Sequence, residues 1–388
     1  MLGEAAFFLV ADCAIDRSML NFRPMNARKD ATACFVLASA LWAPIASAQQ
    51  AEQAPAPIIA AQPIDQAPAP TSQDPEGFQA YLQMLAARAR GEGVSEATIT
   101  AMITGISYNP RVVQLDRNQP GASNSPTPPA YTPYRLSHVD AARINRGRAV
   151  LRGLGDMGAQ VEARYGVPVS ILLAIWGAET DYGAAKGGFD LARALATLAF
   201  EGRRRELFAG EFVALLKMAD RGVPRDRLTG SWAGALGNPQ FLPSVYLRYA
   251  SDADGDGLAD IWNSRPDTLA SIAAYFRSAG WQKGIPWGVP AQVPANLDRS
   301  VLQSRLESPS CARVHARHSQ WKTMAEWRSL GVTSEKYLAD NTLVALIEPD
   351  GIGKTAYLLT GNYRVILDYN CSNYYALSVG LLADEIAR

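Results

Sequence analysis

Apolar positions along the chain recur first at helical spacing and later at shorter, strand-like spacing. Glu76–Ala89 places Phe78, Tyr81, Leu82 and Leu85 three and four residues apart, which predicts an amphipathic helix. Ser95–Ile103 predicts a short helix, with Ser95 as its cap and Glu96 in its first turn. Gln119–Pro133 is a Pro, Ser and Asn loop. Val139–Tyr165 predicts one long helix with an apolar stripe, and Gly166-Val167-Pro168 ends it and starts the next. Further helices are expected at Leu191–Phe200, Arg205–Arg221, Ser244–Ala250 and Thr268–Ala279.

The texture then changes. Gly284–Leu297 carries prolines and spaced valines, and Thr342–Glu348, Lys354–Leu359 and Tyr363–Tyr369 read as strands. Tyr374–Ala387 reads as a helix that returns to the body. The expected architecture is α+β, a helical body over 76–282, a β-rich part over 283–371 and a closing helix over 372–388. No internal repeat is visible.

The N-terminus has a different pattern. Arg28 and Lys29 precede an apolar run from Ala31 to Trp42, too short to span a bilayer, and Ala46-Ser47-Ala48 is a small-residue cleavage signal. Residues 25–48 read as a secretory signal peptide cleaved after Ala48, rather than as a buried helix. Residues 1–24 then read as upstream of the true start. Residues 49–75, rich in Ala, Pro and Gln, predict an unpacked tether. The mature chain is expected in the periplasm, with no transmembrane segment.

Composition narrows the classes. The 388 residues are 48% apolar and 19% charged, with 37 basic and 37 acidic side chains. Zero net charge argues against a nucleic-acid partner, whose phosphates require a basic surplus. Cleavage at Ala48 would leave two cysteines, Cys311 and Cys371. In an exported chain two cysteines most often pair. Free thiols, or a zinc site with His315 and His318, are the other readings of Cys-x3-His-x2-His.

Three segments carry candidate chemistry. In Val169–Gly183, helical spacing puts Glu179 on the stripe of Leu172 and Ile175, three residues after Trp176. A carboxyl there is either ion-paired or pushed up by burial, and the second state suits general-acid cleavage of a glycosidic bond. Gly177 and Gly183 are expected to leave room for a ligand. Gly230–Tyr246 sets Ser231, Asn238 and Gln240 among glycines and aromatics, as a tight turn or as a sugar-facing loop. Asp252, Asp254 and Asp256 sit at positions 1, 3 and 5 of an EF-hand-like loop, with Gly257 for the turn and the Leu258 carbonyl at position 7. Position 12 is Asn263 rather than Glu. Calcium and a hydrogen-bonded Asp/Gly turn both fit. Gly351–Thr355 lacks the first glycine of a phosphate-binding loop, and His138 is explained by capping or solvation.

Together AIWGAETDYG, ALATLAFEGRRRELF, GSWAGALGNPQFLPSVYLRYASDADGDGLADIW and RVILDYNCSNYYALSVGLLADEIA resemble the lytic murein transglycosylase B family, glycoside hydrolase family 103. The resemblance spans roughly residues 76–388. It implies a lysozyme-like helical core with a smaller β domain, acting on peptidoglycan glycan strands at the MurNAc–GlcNAc bond. It implies Glu179 as the single catalytic acid and base, forming a 1,6-anhydro sugar without a catalytic cofactor. It implies Ser231, Gln240, Tyr369, Asn370 and Tyr375 along the groove. It implies structural calcium on Asp252, Asp254, Asp256 and Leu258. Asn263 and Cys371 depart from the family's pattern, and the second ties the groove wall to Cys311. The other readings are a hydrolytic muramidase and a non-catalytic peptidoglycan-binding protein.

Overall fold

The computed structural model describes residues 75–119, 129–304 and 311–388. The signal over 25–48 and the tether up to residue 74 lie outside these residues, as does most of the expected loop 119–133. In chain order the elements are α1 (Pro75–Gly91), α2 (Glu96–Ile103), α3 (Pro110–Arg117), α4 (Tyr131–His138), α5 (Ala141–Arg152), α6 (Asp156–Tyr165) and α7 (Val169–Thr180). There follow β1 (Phe189–Asp190), α8 (Leu191–Glu201), α9 (Arg205–Asp220), β2 (Thr229–Gly230), α10 (Pro243–Tyr249) and α11 (Arg265–Ser278). The last part holds β3 (Gly288–Gln292), α12 (Ala312–His315), β4 (Lys322–Thr323), α13 (Met324–Ser329), β5 (Thr333–Ser334), β6 (Leu343–Ile347), β7 (Tyr357–Leu359), α14 (Gly361–Tyr369) and α15 (Asn373–Ile386).

Helices dominate, and the one sizeable sheet among the described residues is antiparallel, in the order β4-β6-β7-β3-β5. Ala345 pairs with Leu359 and Val289 with Leu358. This is an α+β fold. Three apolar cores organise it. One joins α1 and α2 to α8 and α9 through Phe78, Phe200, Phe208 and Phe212. A second surrounds α7 with α11, α14 and α15 through Leu172, Ile175, Phe276, Tyr363 and Leu377. A third fills the sheet around Trp327, Val344 and Leu358.

Two expectations are corrected. Val139–Tyr165 is two helices, not one. Gly155 has φ +52, a left-handed value that an L side chain rarely adopts, and the chain turns there before Asp156. Tyr363–Tyr369 is α14, not a strand. Its β-branched run misled the reading, because tertiary packing outweighs propensity here. Thr360 caps the helix by accepting from Asn362 N–H. The Asn362 side chain is buried and bonds Gln282 and Ile285 of the neighbouring turn. Helices α3, α4 and α13 were not expected, although Asn109 caps the first and Thr323 and Glu326 form a capping box on the last.

Cys311 and Cys371 are joined in a disulfide across 60 residues. The thiolates a zinc site would use are therefore taken up. The bond ties the segment leading into the sheet to the junction between α14 and α15. His318 and Asn373 reinforce it, with Nε2 and Oδ1 2.7 Å apart. Opening a loop of this length restores freedom to the unfolded chain. Cys371→Ser is expected to lower stability by about 2–4 kcal/mol, read as a fall of several degrees in Tm that reduction of the native protein reproduces.

Candidate active site

Helix α7 is apolar on nearly every face. Ile171 to Gly177 are all buried, and the helix lies against α15, α5 and α11. Glu179 falls in its last turn, where the helix emerges from the core. Asp181 and Tyr182 both take positive φ, +51 and +58, and turn the chain away. Strained backbone of this kind gathers at functional sites. Gly177 does not leave room for a ligand, as its spacing had implied. A Cβ there would sit 2.6 Å from the Tyr182 ring, so the glycine admits that ring against the helix. The Tyr182 hydroxyl donates to the Arg143 carbonyl, and Asp181 is held by Arg146 at 2.7 Å.

The carboxyl of Glu179 has one side-chain partner, the Tyr375 hydroxyl of α15, which donates to Oε1 at 2.6 Å. Burial pushes the Glu179 carboxyl up to about 7, and the Tyr375 hydrogen bond opposes the rise. Among the described residues no cation offsets the burial, and no second carboxylate adds to it. The hydroxyls of Tyr369 and Tyr375 are raised well above the usual phenol value, by burial and then by the Glu179 charge. Both stay protonated. Tyr134 of α4 also senses Glu179, and burial with that charge pushes it up to about 12. Its place at the site was not legible: nothing in the spacing links α4 to α7.

The other residues expected along a groove arrive from distant segments. Tyr369 donates to the Pro239 carbonyl at 2.5 Å and rests on Phe241 and Tyr275. Gln240, at φ +51, donates to the Gly237 and Lys186 carbonyls. Thr180 Oγ donates to the Asn238 carbonyl, so the end of α7 and the Gly237–Gln240 turn are fastened together. Asn370 ends α14, and its Oδ1 is buried with no partner. Such an acceptor is costly unless a donor reaches it. Ser231 stands apart from this set. It is 1% exposed, and its Oγ accepts from Ala235 N–H at 2.9 Å. Its hydroxyl closes the 231–235 turn.

The acidic loop keeps its three carboxylates together. One oxygen from each of Asp252, Asp254 and Asp256 lies within 4.8 Å of the others, all exposed, and none is in an ion pair among the described residues. Backbone N–H groups of Gly255 and Gly257 orient Asp252, and Ser264 orients Asp254. Oxygen ligands crowded without a cation suit a hard divalent ion. The Leu258 carbonyl accepts from Asp260 N–H, which leaves its second lone pair. Asn263 faces Trp262 and Arg227 instead of the cluster. The residue that the spacing missed is Asp267, fully buried, which accepts from Ala253 and Asp260 N–H at 2.7 Å and ties the two ends of the loop.

The chain as a whole resembles known proteins. The Transglycosylase SLT domain family matches residues 77–384. The membrane-bound lytic murein transglycosylase B of Escherichia coli (strain K12) is 30% identical over 285 residues, 71% of this chain and 74% of that protein. The crystal structure of SltB3 from Pseudomonas aeruginosa in complex with NAG-anhNAM-pentapeptide superposes with a TM-score of 0.71 at 35% identity, covering 80% of this chain and 79% of that one. The Escherichia coli lytic transglycosylase Slt35 in complex with calcium gives 0.65 at 27% identity, covering 81% and 93%.

The raised carboxyl has a stability consequence of definite sign. Glu179 binds its proton more tightly folded than unfolded, so the fold loses relative stability as pH rises from about 4.5 to about 7. Glu179→Gln is therefore expected to be more stable than wild type at pH 8, by roughly 1–3 kcal/mol, with the gap closing below pH 4.5. Calorimetry at both pH values measures it.

Proposed function

The chain belongs to the Transglycosylase SLT domain family, among its lytic murein transglycosylase B members, and on that premise we propose how its own residues carry the reaction. It is a lytic transglycosylase that cleaves peptidoglycan. The observation that carries the residue assignment is Glu179: one carboxyl, pushed up to about 7 by burial, with a phenol as its only hydrogen-bonding side chain among the described residues. Near neutral pH a large fraction is protonated, and the acid can donate to the glycosidic oxygen between MurNAc and GlcNAc. The carboxylate left behind is a base of matched strength. It takes the proton from the MurNAc C6 hydroxyl, whose oxygen closes on C1 to give the 1,6-anhydro sugar. Proton and leaving group balance without water.

Tyr375 orients the carboxyl and stabilises its anion between the two steps. The buried Asn370 Oδ1 accepts from a sugar amide or hydroxyl, which supplies the donor it lacks. Tyr369 and Gln240 fix the wall between α14 and the Gly237–Gln240 turn. Ser231 acts one layer behind, by shaping its turn. Asp252, Asp254, Asp256 and the Leu258 carbonyl would hold calcium, which would neutralise the three carboxylates and stiffen the loop before α11. The reaction needs no cofactor. Export fits this substrate, with a signal over residues 25–48 cleaved after Ala48 and a periplasmic mature chain.

Purified sacculi test the assignment. Wild type is expected to release muropeptides one water lighter than their reducing-end counterparts, by mass spectrometry. Glu179→Gln is expected to lose at least a thousandfold in rate while still binding sacculi. Products at the hydrolytic mass point to a muramidase, and binding without release by wild type points to a scaffold. For the metal, millimolar calcium added to chelator-treated protein is expected to raise Tm by several degrees. Asp254→Asn is expected to remove most of that shift, and an unchanged Tm in wild type refutes the site.

A further inference from the structure

The segment Cys311–His318 reads CARVHARH, and the disulfide fastens it beside the active site. Arg317 leans on Tyr374: burial pushes that hydroxyl up, and the Arg317 guanidinium opposes the rise. The Tyr374 ring lies 5.7 Å from Tyr134, and Tyr134 senses Glu179. Arg364 of α14 stacks over Trp321, with its guanidinium 4.7 Å from the ring centroid. Both arginines act on His318, which burial and its cationic neighbours hold down at about 4. The histidines are thus neutral at pH 7, and the charge of this face belongs to the arginines.

Arg313, Arg317 and Arg364 are exposed, and none is in an ion pair among the described residues. Asp368 is the acidic side chain that Arg364 feels, one turn further along α14, and the two form no ion pair. The chain as a whole is neutral, so the clustering is local. Cationic groups not held in ion pairs attract a substrate that carries anions.

We propose that Arg317 and Arg364 form a shelf that binds the carboxylates of the peptide stem on the MurNAc residue being cleaved. The proposal rests on the peptidoglycan reading above. Stem peptides carry several carboxylates on a flexible chain that starts at the sugar bound next to Glu179. Planar guanidinium forks suit carboxylates. A relative, SltB3, forms a complex with NAG-anhNAM-pentapeptide, a fragment that carries such a stem. The disulfide keeps the Arg317 segment in register with Tyr374 and Tyr375.

Two substrates separate the outcomes: glycan strands with intact stems, and strands freed of stems by an amidase. The Arg317→Gln/Arg364→Gln variant of the full chain is expected to raise KM for stem-bearing strands about three- to tenfold. Its kcat and its KM on stem-free strands should stay at wild-type values. Arg317→Lys/Arg364→Lys should recover part of the affinity, and added salt should shrink the difference. Equal losses on both substrates, or no loss on either, overturn the shelf. Wild-type turnover of stem-free strands reports separately on the transglycosylase reading, since that activity does not need the shelf.

Discussion

The contact on which the site depends is a single hydrogen bond between helices 196 residues apart, from the Tyr375 hydroxyl to Oε1 of Glu179. Burial alone would drive the Glu179 carboxyl further up and leave it a poor acid donor and an unstable anion. Solvation alone would return it to the ordinary carboxylate range, too weakly protonated at neutral pH. The observed balance sets a carboxyl near 7, where proton donation and proton removal are comparably easy. One group can then serve both halves of a reaction that never admits water. An ordinary glycosidase divides these duties between two carboxyls held at a fixed separation. In the proposed reaction the second carboxyl is replaced by a hydroxyl of the substrate itself.

That balance dictates the surrounding architecture. A largely apolar α7 is required to carry a carboxyl into a water-poor place, and it must be covered on several sides. Helices α15, α5 and α11 do so. The end of α7 must then stop without fraying, and Thr180 fastens it to the Asn238 carbonyl while Tyr182 folds back over Gly177. The wall opposite is held by Tyr369 on Pro239. These braces are mostly neutral. Ion pairs such as Arg146–Asp181 lie outside the pocket and leave the Glu179 carboxyl without a cation.

Much of this was legible in the chain, for identifiable reasons. Glu179 stood out because a charged residue interrupts an otherwise apolar helix. The acidic loop stood out because its oxygen spacing is local in sequence. Tertiary facts were hidden. Tyr134 reaches the site only because α4 packs on α15, and no local pattern encodes that. Gly177 looked like space for a ligand, yet the space is filled by Tyr182. Tyr363–Tyr369 looked like a strand because Val365 and Ile366 favour one, but Thr360 and the buried Asn362 commit it to helix. Ser231 lies in the right segment, and its hydroxyl is spent on its own turn.

The placement of the partners also explains when the acid exists. Tyr375 meets Glu179 across 196 residues and Tyr369 meets Pro239 across 130, and contacts of such separation close slowly in folding. In an unfolded chain Glu179 titrates as an ordinary carboxylate and is ionised at neutral pH. The reactive group is therefore made by the completed fold, and by α15 in particular, which is last in the chain. The disulfide lies at the base of that helix, with Asn370 and Ser372 on either side of Cys371. It holds the junction that delivers both Tyr369 and Tyr375. A cross-link at this point secures the groove wall rather than the bulk of the core, because the helical body has its own apolar clusters. The covalent bond thus reinforces the site at the junction where two long-range contacts, Tyr375 with Glu179 and Tyr369 with Pro239, must coincide.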